Sequence, residues 1–220
     1  MNKNKIVSTR DGSMTVYSEL HNAHYHSLNG ALQESEHIFI NNGFKLIEKQ
    51  NIKILEVGFG TGLNACLTAY EAAKSNKRIY YHGIDLFPLS SDVLLNLNYP
   101  KLFNQDMNNI WTKICFCDWG NLVEIVEGFT LIKDQQDFCS FDPKQCFDIV
   151  YFDAFAPEDQ PEMWESDRFK MLYRLLNSNG ILVTYCSKGV VKQALREAGF
   201  NVKRLPGPQG KRHIVRATKY

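Results

Sequence analysis

The sequence predicts an α/β domain: a mostly parallel sheet of seven strands with helices on both faces, closed by a C-terminal antiparallel hairpin and preceded by a small N-terminal extension. Three observations predict it. Strand-like apolar runs alternate with helix-like ones through most of the chain. The first such strand, "IKILEV", runs directly into three glycines spaced two apart and then into a helical pattern. The last two strand-like runs, "NVKRL" and "HIVRAT", are separated only by "PGPQGKR", which is too short for a crossover helix and so makes them an antiparallel pair at the sheet edge.

The elements follow in order. Residues 10–42 read as a small β-element and then a helix from about Ala31, expected to pack over the mouth of the site as a lid. After "IKILEV" come a helix over 63–74, the strand "RIYYHGI", a helix over 89–97 and a longer irregular passage. Then come the strands "FTLIK" and "CFDIVYF", a helix over 164–176 with apolar members Trp164, Met171, Leu172, Leu175 and Leu176, the strand "GILVTYC", a helix over 189–198 and the final hairpin. At 220 residues one domain is expected, with 1–50 as the extension and 51–220 as the core.

Composition narrows the functional classes. The chain is 44% hydrophobic and 22% charged, and no stretch approaches the ~18 uninterrupted apolar residues needed to span a bilayer, so no membrane partner is expected. "MNKNKIVSTRDGS" has no apolar stretch after its lysines, so a secretory signal is not expected and the cytoplasm is. Six cysteines never form a C-x-x-C pair and read as free thiols, with no metal site. The net charge is +1, yet after Glu197 no acid follows while Lys203, Arg204, Lys211, Arg212, Arg216 and Lys219 do. The hairpin loop falls at the carboxyl end of the parallel strands, where ligands bind in open α/β sheets, so Lys211 and Arg212 should face the site.

A seven-stranded sheet ending in a hairpin resembles the class I S-adenosylmethionine-dependent methyltransferases, with their Rossmann-like fold, more than the nicotinamide dehydrogenases. Gly58, Gly60 and Gly62 form G-x-G-x-G, and Leu63 stands where a dinucleotide loop has its third glycine. With Glu56 two residues ahead, the loop takes the E-x-G-x-G-x-G form, and an acid suits a ligand bearing an ammonium and a sulfonium better than a diphosphate. Asp85 ends the second parallel strand about 27 residues beyond Gly58, where a carboxylate accepts from ribose hydroxyls. Asp134 and Asp137 both follow the third strand and either could accept from the adenine amine; Asp137 is preferred. Asp153, at the end of "CFDIVYF", arrives with Phe155 and Pro157, a carboxylate and an aromatic together, as in enzymes that methylate nitrogen. Asp148, at the start of that strand, reads as structural.

Together with "DGSMTVYS", "HYHSLNGALQESEHIFI", "ILEVGFGTGLN", "YFDAFAPEDQPEMW", "TYCSKG" and "LPGPQGKRHIVRAT", these residues resemble the MnmC-like methyltransferase family in its stand-alone MnmD form, from about residue 8 to the C-terminus. The resemblance implies S-adenosyl-L-methionine as cofactor, with Asn64 in the cofactor loop. It implies N-methylation of the 5-aminomethyl group of 2-thiouridine at the tRNA wobble position, giving 5-methylaminomethyl-2-thiouridine. The flavin-dependent oxidase domain of bifunctional relatives is not expected after "RATKY", hence no FAD and an amine made elsewhere. No obligate protein partner is inferred. "DAFAP" departs from relatives that carry a glycine after the aspartate, and the small Ala154 should matter little.

Asp153 is then the expected acceptor that orients the attacking amine. Tyr25, Ser27, Gln33 and Glu34 are lid candidates; Lys188, Lys211 and Arg212 are candidate phosphate contacts for the anticodon loop; Trp164 or Phe155 could stack on an extruded base. Two other classes fit less well. A small-molecule or polyamine N-methyl- or aminopropyltransferase would need further acids and no basic hairpin. A non-catalytic RNA-binding module would have no use for Glu56, Asp85 and Asp153 around an intact glycine loop.

Overall fold

The computed structural model describes residues 4–220. The N-terminal extension forms a three-stranded antiparallel sheet, β1 (Asn4–Ser8), β2 (Met14–Ser18) and β3 (Ala23–His24), followed by α1 (Ala31–Ser35), which widens into a π-helical turn over Glu36–Asn41.

The core chain then runs β4 (Asn51–Val57), α2 (Leu63–Lys74), β5 (Arg78–Asp85), α3 (Ser91–Leu95), α4 (Tyr99–Leu102), α5 (Gln105–Phe116), β6 (Val123–Val126), β7 (Phe129–Gln135), β8 (Phe147–Phe152), α6 (Ser166–Leu175), β9 (Leu176–Thr184), α7 (Gly189–Glu197), β10 (Asn201–Pro206) and β11 (His213–Thr218). The strands form one sheet in the order β10-β11-β9-β8-β4-β5-β7-β6. β7, β5, β4, β8 and β9 are parallel, β11 pairs antiparallel with both β9 and β10, and β6 pairs antiparallel with β7.

The seven expected strands are therefore joined by an eighth, β6, a four-residue edge strand. The passage expected to be irregular contains a further correction, the twelve-residue helix α5. Its signal was present: Met107, Ile110, Trp111, Ile114 and Cys115 recur at helical spacing, and the Asn104 side chain caps the first turn by accepting from the Met107 amide at 2.9 Å. Trp164 lies not in α6 but on the short 3-10 turn Pro161–Trp164 that precedes it.

Each face of the sheet carries its own core. Ile52 and Ile54 of β4 point to the side covered by α2, α5 and the π-turn, while Leu55 and Val57 point to the side covered by α6 and α7. β8 is buried throughout, as a central parallel strand covered on both faces must be. Successive connections leave β4 toward β5 and β7, whereas β8 lies on its other side, so the sheet has its switch point between β4 and β8. Among the described residues no helix is long and apolar enough to cross a membrane.

Candidate active site

A cavity of about 400 Å³ opens at this switch point, within the usual size range of small-molecule sites. Its floor is the turn after β4. Gly58 has φ +88° and its missing Cβ would lie 2.5 Å from the Asp153 carbonyl oxygen; Gly60 has φ +54° and its Cβ would lie 3.0 Å from the Tyr25 ring. The glycines thus let the ends of two strands and the N-terminal extension close around one point, in a left-handed backbone that side chains resist.

Carboxylates ring the cavity. Asp85 accepts from the Gly60 amide (Oδ2, 2.9 Å) and the Phe87 amide (Oδ1, 2.9 Å), so it pins the glycine turn as well as facing the cavity. Burial pushes its carboxyl above the ordinary range, with the two amides pulling it back. Asp137 lines the wall and caps the turn Phe138–Ser140 by accepting from the Cys139 amide at 2.8 Å. Asp134 is not on the wall; its carboxylate lies 2.7 Å from His82 Nε2. Asp148 sits at the far end of β8 and accepts from Asn177 and the Lys53 amide, a structural post.

Asp153 follows β8, and its Oδ2 accepts from Asn64 Nδ2 at 2.9 Å. Burial raises its carboxyl to about 7; nearby Glu34 pushes the same way, and Asn64 and Lys211 oppose. Above it stands an aromatic wall. Phe155 stacks on His21 with ring centroids 4.3 Å apart and takes the edge of Tyr25 at 4.9 Å.

Glu56 does not reach the wall, which corrects the expectation that it faces the ligand. It is fully buried beneath the turn, accepting from Asn64 Nδ2 (2.8 Å) and the Tyr81 hydroxyl (2.8 Å), and burial raises its carboxyl well above the ordinary range. Asn64 is likewise buried and spends both amide hydrogens on Glu56 and Asp153. Gly62 is behind the wall as the residue preceding α2.

The N-terminal segment contributes Tyr25, Ser27 and Glu34 to the cavity, but not Gln33, whose backbone amide donates to Asp11. Glu34 accepts from the Ser27 amide at 2.7 Å and pairs with Lys211 Nζ at 2.9 Å, and that nitrogen lies 4.2 Å from the centroid of the Tyr185 ring. Lys211 therefore faces the cavity, as expected, but tied to a buried acid rather than free for the phosphate contact expected of it. Lys188 is paired with Glu158 off the wall, Arg212 is exposed on the hairpin, and Pro157 does not line the cavity. Trp164 is unavailable for base stacking: it is packed on Phe152 and Phe169, and its indole donates to the Phe155 carbonyl at 2.7 Å, so it braces the aromatic wall from behind.

The sequence reading missed His21, His26, Tyr185, Asp159 and Glu162, all on the wall. His26 is buried and held neutral at about 4, burial being the main cause. His21 and His26 lie in "HNAHYHS" and Asp159 and Glu162 in "PEDQPE", which read only as polar loop, while Tyr185 follows β9; nothing local tells which of these side chains turn inward. Among the described residues no cluster of His, Cys, Asp or Glu could hold a metal ion.

A cavity at the switch point, floored by a glycine turn and ringed by acids, fits one class of protein, and the sequence comparison agrees. Residues 93–220 match the model of a family described as S-adenosyl-L-methionine-dependent methyltransferase, and the chain belongs to that family. It is 33% identical over 227 residues to the tRNA 5-methylaminomethyl-2-thiouridine biosynthesis bifunctional protein MnmC of Burkholderia thailandensis, covering 96% of this chain and 34% of that protein. The protein of the same name from Marinomonas sp. is 26% identical, covering 87% and 30%. The chain thus spans about a third of the length of these relatives. Its fold is shared with MnmC2 from Aquifex aeolicus, at TM-score 0.81 and 23% identity over all of this chain and 71% of that one. Spermidine synthase from Thermotoga maritima shares it more loosely, at TM-score 0.62 and 14% identity over 100% and 70%.

The residues present fit the cofactor of this family. Gly58 and Gly60 line the cavity with bare backbone, Asp85 can accept from ribose hydroxyls, and the acids suit its positive charge.

Proposed function

We propose that the chain N-methylates the 5-aminomethyl group of (2-thio)uridine at the tRNA wobble position, giving 5-methylaminomethyl-2-thiouridine in the cytoplasm. The observation that carries this reading is Asp153: a carboxyl poised near 7, fixed by Asn64 and roofed by aromatic rings, at the cavity end of β8. The kinship with MnmC proteins points to the substrate.

In this reading Gly58, Gly60, Asp85 and Asp137 hold S-adenosyl-L-methionine, which when bound supplies an electrophilic methyl group. The N-terminal extension, through Tyr25 and Glu34, acts as a lid that excludes water. A primary amine attacks only when neutral, and a wall of Phe155, His21 and Tyr25 disfavours its ammonium form. Asp153 Oδ1, the oxygen that Asn64 leaves free, orients the amine and takes its surplus proton; a base poised near neutrality suits both tasks. The chain itself performs the methyl transfer, and a separate reaction supplies the free amine.

The test is mass spectrometry of nucleosides after incubating the protein with S-adenosyl-L-methionine and tRNA carrying 5-aminomethyl-2-thiouridine. Gain of one methyl on that nucleoside is expected, and no gain refutes the assignment. One observation favours a second reading, a polyamine substrate: Glu34, Asp85, Asp137, Asp153, Asp159 and Glu162 all line the cavity. Methylation of a diamine in the same assay, with tRNA untouched, would establish it.

A further inference from the structure

Positive charges crowd α7 and the hairpin. Lys188 precedes the first turn of α7 and Lys192 lies within it, at the end where the helix dipole favours anions. Lys188, Lys192 and Arg196 are spaced four apart, so like charges stack along one ridge. Across from that ridge the hairpin adds Arg204 on β10 and Arg212 beside β11. His213 reports how close the groups are. Its imidazole is held below the ordinary range, first by desolvation and then by Arg204, Lys192 and Arg212.

Among the described residues no ion pair engages Lys192, Arg196, Arg204 or Arg212. The one acid of α7, Glu197, is taken by the Gln193 amide at 3.0 Å. Since the whole chain carries only +1, this is a local concentration of charge. It adjoins the cavity, because the hairpin that bears Arg212 also delivers Lys211 to the wall. Asp159 and Glu162 also line the cavity, so the basic surface lies outside it on α7 and the hairpin.

We infer that Lys192, Arg196, Arg204 and Arg212, with His213 between them, form a phosphate track on which the backbone of the RNA substrate lies as its target nucleotide enters the cavity. The inference rests on the function proposed above for its substrate class. Unpaired cations crowded along a helix ridge and an edge strand match a chain of evenly spaced phosphates, and each contact releases counterions, which makes affinity depend on salt.

The test compares the parent with the K192Q/R196Q/R204Q variant, whose three positions lie outside the cavity. Binding of a tRNA anticodon stem-loop is followed by fluorescence anisotropy between 50 and 300 mM salt. The variant should lose ~10- to 100-fold in affinity at low salt, and its slope of log K against log salt should shrink by about 2 to 3. Its melting temperature should be no lower than the parent's, since like-charge repulsion is relieved, and its S-adenosyl-L-methionine binding should match the parent. Should the triple variant fold poorly, R204Q alone should shrink the slope by about 0.7 to 0.9. An unchanged slope in a folded variant overturns the track, as does a parent that binds anionic vesicles but not RNA. If the parent binds tRNA through these residues yet transfers no methyl group, the track stands and the proposed reaction falls.

Discussion

Asn64 Nδ2 lies 2.9 Å from Asp153 Oδ2 and fixes the carboxylate at the end of β8. The same nitrogen lies 2.8 Å from Glu56 Oε1, so one amide ties the buried acid below the glycine turn to the acid facing the cavity.

Asn64→Ala removes both hydrogen bonds at once. A bond to a charged group is worth about 1.5 to 3 kcal/mol, so kcat should fall by about tenfold to a hundredfold if the bond acts in the transition state. Asn64 also holds the Asp153 carboxyl down against burial. The acid limb of the kcat against pH profile should therefore move to higher pH in the variant. A limb that stays in place would show that the amide only supports the fold.

Asp153→Asn should lower kcat by about 10²- to 10⁴-fold while leaving S-adenosyl-L-methionine binding measurable by calorimetry. It also has a stability signature. The folded carboxyl, at about 7, lies above its value in the unfolded chain, so the native state holds the proton more tightly. Stability then falls as pH rises from about 4 toward 7, and the loss is complete above the folded value. Asparagine does not ionise. The variant should melt at least ~3 °C above the parent at pH 8, with the difference vanishing near pH 4.

Gly58→Ala should cost more than about 2 kcal/mol, because the left-handed backbone is disfavoured and the new Cβ would meet the Asp153 carbonyl at 2.5 Å. Gly60→Ala meets only the edge of the Tyr25 ring, which can swing away, and should cost less. Thermal melts rank the two, and calorimetry should show the larger loss of cofactor affinity for Gly58→Ala.

Lys211→Met leaves Glu34 buried without its cation and should destabilise the chain by about 3 kcal/mol. Arg212→Met, on the exposed face of the next residue, should stay within about 0.5 kcal/mol. Denaturant titration of both variants checks the contrast. Equal effects would show that the Glu34 pair contributes nothing.

Much of the frame was legible because it rests on local chemistry. Alternating and helical apolar periods marked the parallel strands and α2, and a seven-residue link forced the hairpin. α5 was equally legible from Met107, Ile110, Trp111, Ile114 and Cys115 but was passed over among polar neighbours. β6 carries too short a run to announce itself. Asp85 and Asp153 could be placed on the cavity because a residue ending a parallel strand has little choice of direction.

The sequence by itself determined the α/β frame, the glycine turn and the end of the sheet at which the site lies, since each follows from signals within a few residues of one another. Only the tertiary structure decided which polar groups face the cavity. Glu56 turned under the floor, Trp164 behind the wall and Lys211 into a pair with Glu34, whose partner lies far away in the chain. The physical reason is burial: a charge or an indole N–H removed from water must find its partner in space, and no spacing along the chain records where that partner will be.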